Sequence, residues 1–199
     1  MPAELELDLC DGSAWIGLVP FYITGLTLPH APEVPWLSRF AETNVRTYVV
    51  DPKGRRGVWF FSLDAARLAA VAGARAGYAL PYYWAKMHVQ CDGRQVEYFS
   101  RRRHGPAARS DIAVEIGEPI LEPSELEVFL TARFRLFARR AGRLLKADIE
   151  HPPWPLQRAR ATRIDETLTR AAGFPPVSGE PLAHFGARLD VLVAPIEPV

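Results

Sequence analysis

Short runs in which hydrophobic and polar residues alternate recur from the start of the chain to about residue 118, with turn-forming dipeptides between them. Alternation with a period of two is the mark of a strand that buries one face. "ELELDLCDGSAWIGLVPFYI" holds two such runs around Asp11-Gly12, which predicts a hairpin. "ETNVRTYVV" and "GVWFFSL" flank "DPKGRR" as a second hairpin, and "YYWAKMHVQ" and "RQVEYFSRR" flank Asp92-Gly93 as a third. "DIAVEIGE" is a further strand. The proline-rich stretch 28–36, "LPHAPEVPW", suits neither a central strand nor a helix interior and reads as an extended loop, a wall or a lid.

Helical spacing takes over in fewer places. "DAARLAAVAGARAG" predicts a helix over about 64–75 that starts at Asp64. "SELEVFLTARFRLFARRAG" opens with Ser124 and carries Glu127 three residues on, a capping box. Leu126, Phe129, Leu130, Phe134 and Phe137 then recur at helical spacing, so the longest helix is expected over about 124–140. "GRLLKADIEHP" returns to a strand, "RIDETLTRAAGF" reads as a short helix ending near Gly173, and "HFGARLDVLVAP" as a closing strand. The expected architecture is α+β: a curved, mostly antiparallel sheet or β-barrel-like core with two or three helices. No repeat or linker divides it, so residues 1–199 read as a single domain.

Composition narrows the classes. Hydrophobic residues are 48% and charged residues 24%, the balance of a soluble globular protein. A net charge of +1 leaves no electrostatic footprint for nucleic acid. No apolar run approaches the roughly 18–20 residues that cross a bilayer, and "MPAELELDLC" has no basic or apolar leader pattern. Cys10 and Cys91 lack a CxxC partner or zinc-type spacing, which points to a reduced, cytoplasmic chain without a metal. Lysine occurs only at Lys53, Lys86 and Lys146, and arginine supplies the rest of the 24 basic residues, a bias that fits a GC-rich genome. GxSxG, HExxH, P-loop and GxGxxG motifs are all missing, so common hydrolase and cofactor classes are disfavoured and no cofactor is expected.

Candidate chemistry sits on the predicted strands. Glu42, Asn44, Arg46 and Tyr48 share one face, which is either solvated or the lining of a polar pocket in which Arg46 holds an anion and Glu42 orients or protonates it. Trp84, Lys86 and His88 share another face. Lys86 is either a buried amine with a lowered pKa, as a Schiff-base nucleophile needs, or a lysine whose stem crosses apolar surface to water. "HPPWP" is a rigid corner from which His151 and Trp154 cap a pocket or merely brace the chain. Arg67 and Arg75 lie two turns apart on the predicted helix, and Arg75 precedes Tyr82 and Tyr83 closely enough to face the same space.

As a set, "DGSAWIGLVPF", "ETNVRTYV", "GVWFFSLDA", "LPYYWAKM", "FLTARFRLF" and "HPPWPL" resemble the YqjF-like family, bacterial domains of unknown function 2071, over about residues 7–194. The resemblance implies an acetoacetate decarboxylase-like fold, a β-barrel-like α+β core around a central cavity. It also implies an extra N-terminal segment before the "LELD" strand, with a helix and a tryptophan. Here the chain begins almost at that strand, which reads as a shortened domain or a displaced start and leaves a sheet edge open. In acetoacetate decarboxylase an Arg-Glu pair is followed, after a spacer, by Pro-Lys-Lys; the first lysine forms the Schiff base and the second lowers its pKa. "ARAGYALPYY" is similar to that segment. Arg75 stands for the arginine, Ala76 replaces the glutamate, Pro81 matches the proline, and Tyr82 and Tyr83 occupy the lysine positions. The resemblance sets Glu42 against an acidic residue of the decarboxylase cavity.

A phenol forms no imine, so decarboxylase chemistry does not carry over at Tyr82 and Tyr83. Three functions fit. The first is a binding protein for an organic acid or other anionic carbonyl compound, with Arg46 and Arg75 attracting the anion and tyrosines as walls. The second is a Schiff-base-independent lyase, isomerase or hydratase in which Tyr82 or Tyr83 is a general acid and Arg46 stabilises negative charge; Lys86 stays in view as a residual imine former. The third is a structural or partner-binding module whose pocket is packed shut by Trp36, Trp59, Trp84 and Trp154. A small-molecule partner is expected, nucleic acid and membrane are not, and homo-oligomer formation stays open.

Overall fold

Three strands in the computed structural model, which describes residues 1–24 and 39–199, set the frame: β2 (Ile16–Ile23), β3 (Phe40–Val50) and β4 (Arg56–Ala65). The 28–36 stretch and Trp36 lie outside the described residues. β3 and β4 form the expected hairpin around the "DPKGRR" turn. The hairpin expected at Asp11-Gly12 is different. Asp11 (φ 50°) and Gly12 (φ 73°) do make a tight left-handed turn, closed by a bridge between Cys10 and Ser13. Beyond it, β1 (Glu6–Leu7) and β2 do not pair with each other; both lie along the same edge of β3, Glu6 opposite Val50 and Ile16 opposite Thr47.

The other edge of β4 forks. Leu63–Ala65 pair in parallel with β5 (Tyr82–Asp92), and Val58–Trp59 pair in parallel with β8 (Arg135–Arg140). The first arm continues through β6 (Gln95–Arg102), β7 (Arg109–Pro119), β10 (Leu156–Glu166) and β11 (His184–Gly186). The second runs through β9 (Arg143–Glu150), which also carries β12 (Leu192–Val193) and β13 (Glu197–Pro198) on its far edge. The described strands therefore join in one curved mixed sheet, and this sheet does not close into a barrel.

The parallel step from β4 to β5 needs a crossover, supplied by α1 (Leu68–Tyr78). Asp64 does not start that helix: it is the penultimate residue of β4 and fully buried, and the helix begins after Arg67. The long helix expected over 124–140 is short. The capping box at Ser124 and Glu127 is present, but α2 spans Glu125–Thr131, and the following "RLFARR" is β8. Leu136 packs beside Phe129 and Phe137 beside Leu5 and Val49, so β8 is buried on both faces; that tertiary pairing overrides helical spacing. "RID" likewise extends β10, leaving α3 (Leu168–Ala171) as a single turn.

Helices cover both sides of the central strands. Val71 of α1 packs with Phe40 and Ala65, and Phe129 of α2 with Tyr48 and Leu63. On the opposite side, Leu168 of α3 meets Val45. The even-numbered residues of β3 thus face α1 and α2, and the odd-numbered ones face α3.

Candidate functional site

Four polar or amphipathic side chains of β3 emerge on the α1–α2 side, and the structure buries them. Glu42 is 3% exposed and Asn44 4%; Tyr48 is buried and Arg46 half-buried. The Tyr82 hydroxyl of β5 donates to Glu42 Oε2 at 2.9 Å. Burial pushes the Glu42 carboxyl up to about 8; the Tyr82 hydrogen bond partly opposes this, and the nearby Asp64 adds to it. Glu42 is therefore mostly protonated at neutral pH. Burial, reinforced by Glu42, holds the Tyr82 phenol well above its ordinary range.

Arg46 Nη2 donates to the Leu130 carbonyl at the end of α2, 3.3 Å away, and its guanidinium lies 5.6 Å from the centre of the Tyr48 ring. No carboxylate pairs with it among the described residues. Arg46 Nε and Asn44 Oδ1 are buried without a hydrogen-bond partner. Buried polar atoms are mostly paired; other unpaired ones lie elsewhere, among them Arg102 Nη2, Ser62 Oγ and Ser110 Oγ.

Tyr83 points the other way. Asp64, across from it on β4, accepts from Arg102 Nε at 2.8 Å and from Ser100 Oγ at 3.3 Å. The Arg102 guanidinium stacks 3.9 Å from the centre of the Tyr83 ring; Arg75, exposed on α1, lies 5.7 Å from that ring. Burial raises the Asp64 carboxyl's pKa, while Arg102 and Ser100 pull it back. The adjacent tyrosines thus serve two different clusters on opposite faces of one strand. Arg75 faces Tyr83 and not Arg46, so the two arginines do not form one anion clamp.

Lys86 is exposed on β5, opposite Arg101, in the placement of a lysine whose ammonium reaches water. His151 stacks on Phe134 at 4.8 Å and meets Trp154 edge-on at 6.2 Å; its Nε2 lies 3.3 Å from the Arg133 carbonyl. Trp154 packs over Gly186. This corner is separate from Glu42. Trp59, Trp84 and Trp154 sit in three different packing groups, so the tryptophans within the described residues do not close one pocket. A cleft of about 370 Å³ opens where β4 forks, lined by Trp59, Phe60, Leu80, Pro81, Phe137 and Arg139 among others; of the residues named from sequence as pocket-forming, Trp59 lines it, and none of the expected ligand-binding or catalytic residues does.

Two clusters escaped the sequence. Asp64, which the sequence places at a helix start, is instead half of a buried ion pair whose other half, Arg102, closes the expected "RQVEYFSRR" strand. Arg133 is sandwiched 4.9 Å from Tyr48 and 4.2 Å from Phe129 and reaches Asp8 at 2.5 Å, a pair shared with Arg56. Its partner lies 125 residues away, and no local signal marks it.

The forked sheet with its crossover helix is the acetoacetate decarboxylase-like fold. The acetoacetate decarboxylase of Legionella pneumophila superposes over 98% of this chain and 75% of its own, with a TM-score of 0.59 at 15% identity. The enduracididine biosynthesis enzyme MppR matches over 100% of this chain and 79% of its own, with a TM-score of 0.62 at 13% identity. An acetoacetate decarboxylase-like enzyme from Sphingomonas wittichii RW1 covers 98% and 80%, with a TM-score of 0.53 at 12% identity. At such identities the likeness speaks for the fold alone. The chain belongs to the DUF2071 family, described as an uncharacterized conserved protein, whose model matches residues 1–190. It is 39% identical over 198 residues to the uncharacterized protein YqjF of Bacillus subtilis strain 168, spanning 98% of this chain and 81% of that one. Among the described residues, no helix is long and apolar enough to cross a membrane.

Proposed function

We propose that residues 1–199 act as a single domain that binds a small organic acid or related anionic carbonyl compound on the buried face of β3. Arg46 takes the anionic end, and Glu42 and Tyr82 meet the carbonyl end. The observation that carries this reading is Arg46 itself. It is a half-buried guanidinium whose Nε has no partner and which has no carboxylate counter-ion among the described residues. A guanidinium partly withdrawn from water and without a counter-ion favours an anion that arrives with a ligand. The reading places the protein in the cytoplasm, where free thiols such as Cys10 and Cys91 persist.

A thermal-shift screen at neutral pH with keto acids, hydroxy acids and acyl conjugates tests it. A binding acid raises the wild-type melting temperature by several degrees when present at about 100 times its Kd. The Arg46→Gln variant does not respond. Silence across the whole panel contradicts the reading.

A second reading has its own support. Glu42, held near 8 and hydrogen-bonded to Tyr82, is a carboxylic acid able to deliver a proton at neutral pH. On that basis the same face serves a Schiff-base-independent lyase, isomerase or hydratase, with Tyr82 rather than Tyr83 in the acid–base pair.

A further inference from the structure

The fork in the sheet makes an opening of its own, lined by none of Glu42, Arg46 and Tyr82. β8 pairs in parallel with β4 at Val58 and Trp59, and β5 does so at Leu63–Ala65, so Phe60, Phe61 and Ser62 lie between the two registers. In sheets with parallel strands, ligands favour the crevices where neighbouring strands part. The cleft here measures about 370 Å³, within the roughly 300–1,000 Å³ of small-molecule pockets. Its walls are apolar: Trp59 and Phe60 from β4, Leu80 and Pro81 from the turn before β5, and Phe137 from β8. Trp59 and Phe60 are half-buried, so part of each side chain meets water. Gly57 sets one wall. A Cβ there would fall 2.7 Å from Phe137 Cε2 and 2.7 Å from the Arg135 carbonyl oxygen, so glycine is what lets β8 and the Phe137 ring come this close to β4.

Among the described residues, Arg139 is the charged side chain of this lining. It follows Phe137 by two residues in β8 and leaves the strand on the same face. Its neighbour Arg140 is turned away and donates to the Ala76 and Gly77 carbonyls near the end of α1, at 2.6 and 2.9 Å. The partner of Arg139 is Glu4, 3.8 Å away, and the two side chains are 45% and 44% exposed. An ion pair that long and that wet is weak and readily exchanged. We propose that the cleft is a second binding site, for an apolar carboxylic acid whose aryl or hydrocarbon tail lies against Trp59, Phe60 and Phe137 and whose carboxylate replaces Glu4 on Arg139. Release of water from the tail drives binding, and the guanidinium sets the direction in which the acid lies. This site takes a different ligand from the small polar acid of the Arg46 face and does not rest on that reading.

Titration calorimetry on the full chain with 3-phenylpropanoate, 3-phenylpropan-1-ol and propionate separates the contributions, since the second lacks the charge and the third the ring. Octanoate and octan-1-ol repeat the comparison with a straight chain. In at least one set, the apolar acid binds about tenfold more tightly than its alcohol and than propionate, the scale of one charge-assisted hydrogen bond or of a buried apolar group. Arg139→Gln brings the acid down to the alcohol's level, and Glu4→Gln tightens it by about two- to threefold. Trp59→Leu weakens acid and alcohol alike, and Arg46→Gln changes neither. An alcohol that binds as tightly as its acid overturns the assignment, as does an affinity that survives Arg139→Gln. An affinity lost in Arg46→Gln places the acid on the β3 face, which overturns this inference and leaves the organic-acid reading standing. Silence of every apolar acid removes this inference alone, because the Arg46 site is judged on its own panel of small polar acids.

Discussion

The two faces of the β3–β4–β5 sheet each bury a carboxyl group beside a tyrosine, yet they are finished differently. Asp64 has Arg102 at 2.8 Å and Ser100 at 3.3 Å, with Tyr83 stacked under the guanidinium. Glu42 has only a phenol at 2.9 Å, and the nearest arginine along its strand, Arg46, turns its Nη2 to the Leu130 carbonyl and not to Glu42. The first carboxyl has its charge answered from within the chain. The second has no charged partner among the described residues, although unpaired buried atoms occur on both faces: Asn44 Oδ1 and Arg46 Nε on the Glu42 side, and Arg102 Nη2, Ser62 Oγ and Ser110 Oγ on the Asp64 side. The contrast lies in the counter-charge: Asp64 is answered by a guanidinium, and Glu42 only by a neutral phenol.

The largest break in this comparison comes from opening the closed face. Arg102→Ala leaves Asp64 buried with only Ser100 as a partner, and a loss of about 3–5 kcal/mol is expected in denaturant unfolding. A loss below about 1 kcal/mol would mean that the pair is not the internally answered one.

Next comes pH. Glu42 binds its proton up to about 8 when folded and releases it near the ordinary value of 4.5 when unfolded. The folded state therefore holds more protons through that window. Its stability from this group is full below about 4.5, declines as pH rises towards 8 and is flat beyond. Glu42→Gln flattens this part of the profile, a difference on the order of a few kcal/mol between pH 5 and 8. Parallel profiles for the wild type and the variant contradict it.

The smallest effect is Tyr82→Phe. Loss of one hydrogen bond to Glu42 costs about 1 kcal/mol of stability, and the matching change at Tyr83 leaves Glu42 untouched. If the face is catalytic, Tyr82→Phe also cuts turnover of the responsive acid by about a hundredfold or more, while Tyr83→Phe does not.

Much of the frame was legible because hairpins are local. The β3–β4 and β5–β6 pairs follow from alternation and their turns, and the Ser124–Glu127 capping box starts α2 as expected. The errors have one physical source: partners distant in sequence. Phe137 fits a helix by spacing and lies in a strand because β4 and β9 are there to pair with it. Asp64 resembles a cap until Arg102 arrives from β6. For the site, strand alternation correctly set Glu42, Asn44 and Arg46 on one face. What it left open was whether water or protein covers that face, since this depends on α1 and α2. The tyrosine pair was read as one feature, although adjacent strand residues point to opposite sides.

The most direct measurement follows the arginine Nε–Hε signals by NMR while an organic acid that stabilises the protein is titrated in, with Arg46→Lys and Arg102→Lys assigning the two resonances. The Arg46 signal should move with saturating ligand while that of Arg102 stays in place. Movement of the Arg102 signal with Arg46 unchanged would contradict the assignment of ligand binding to the Glu42 face.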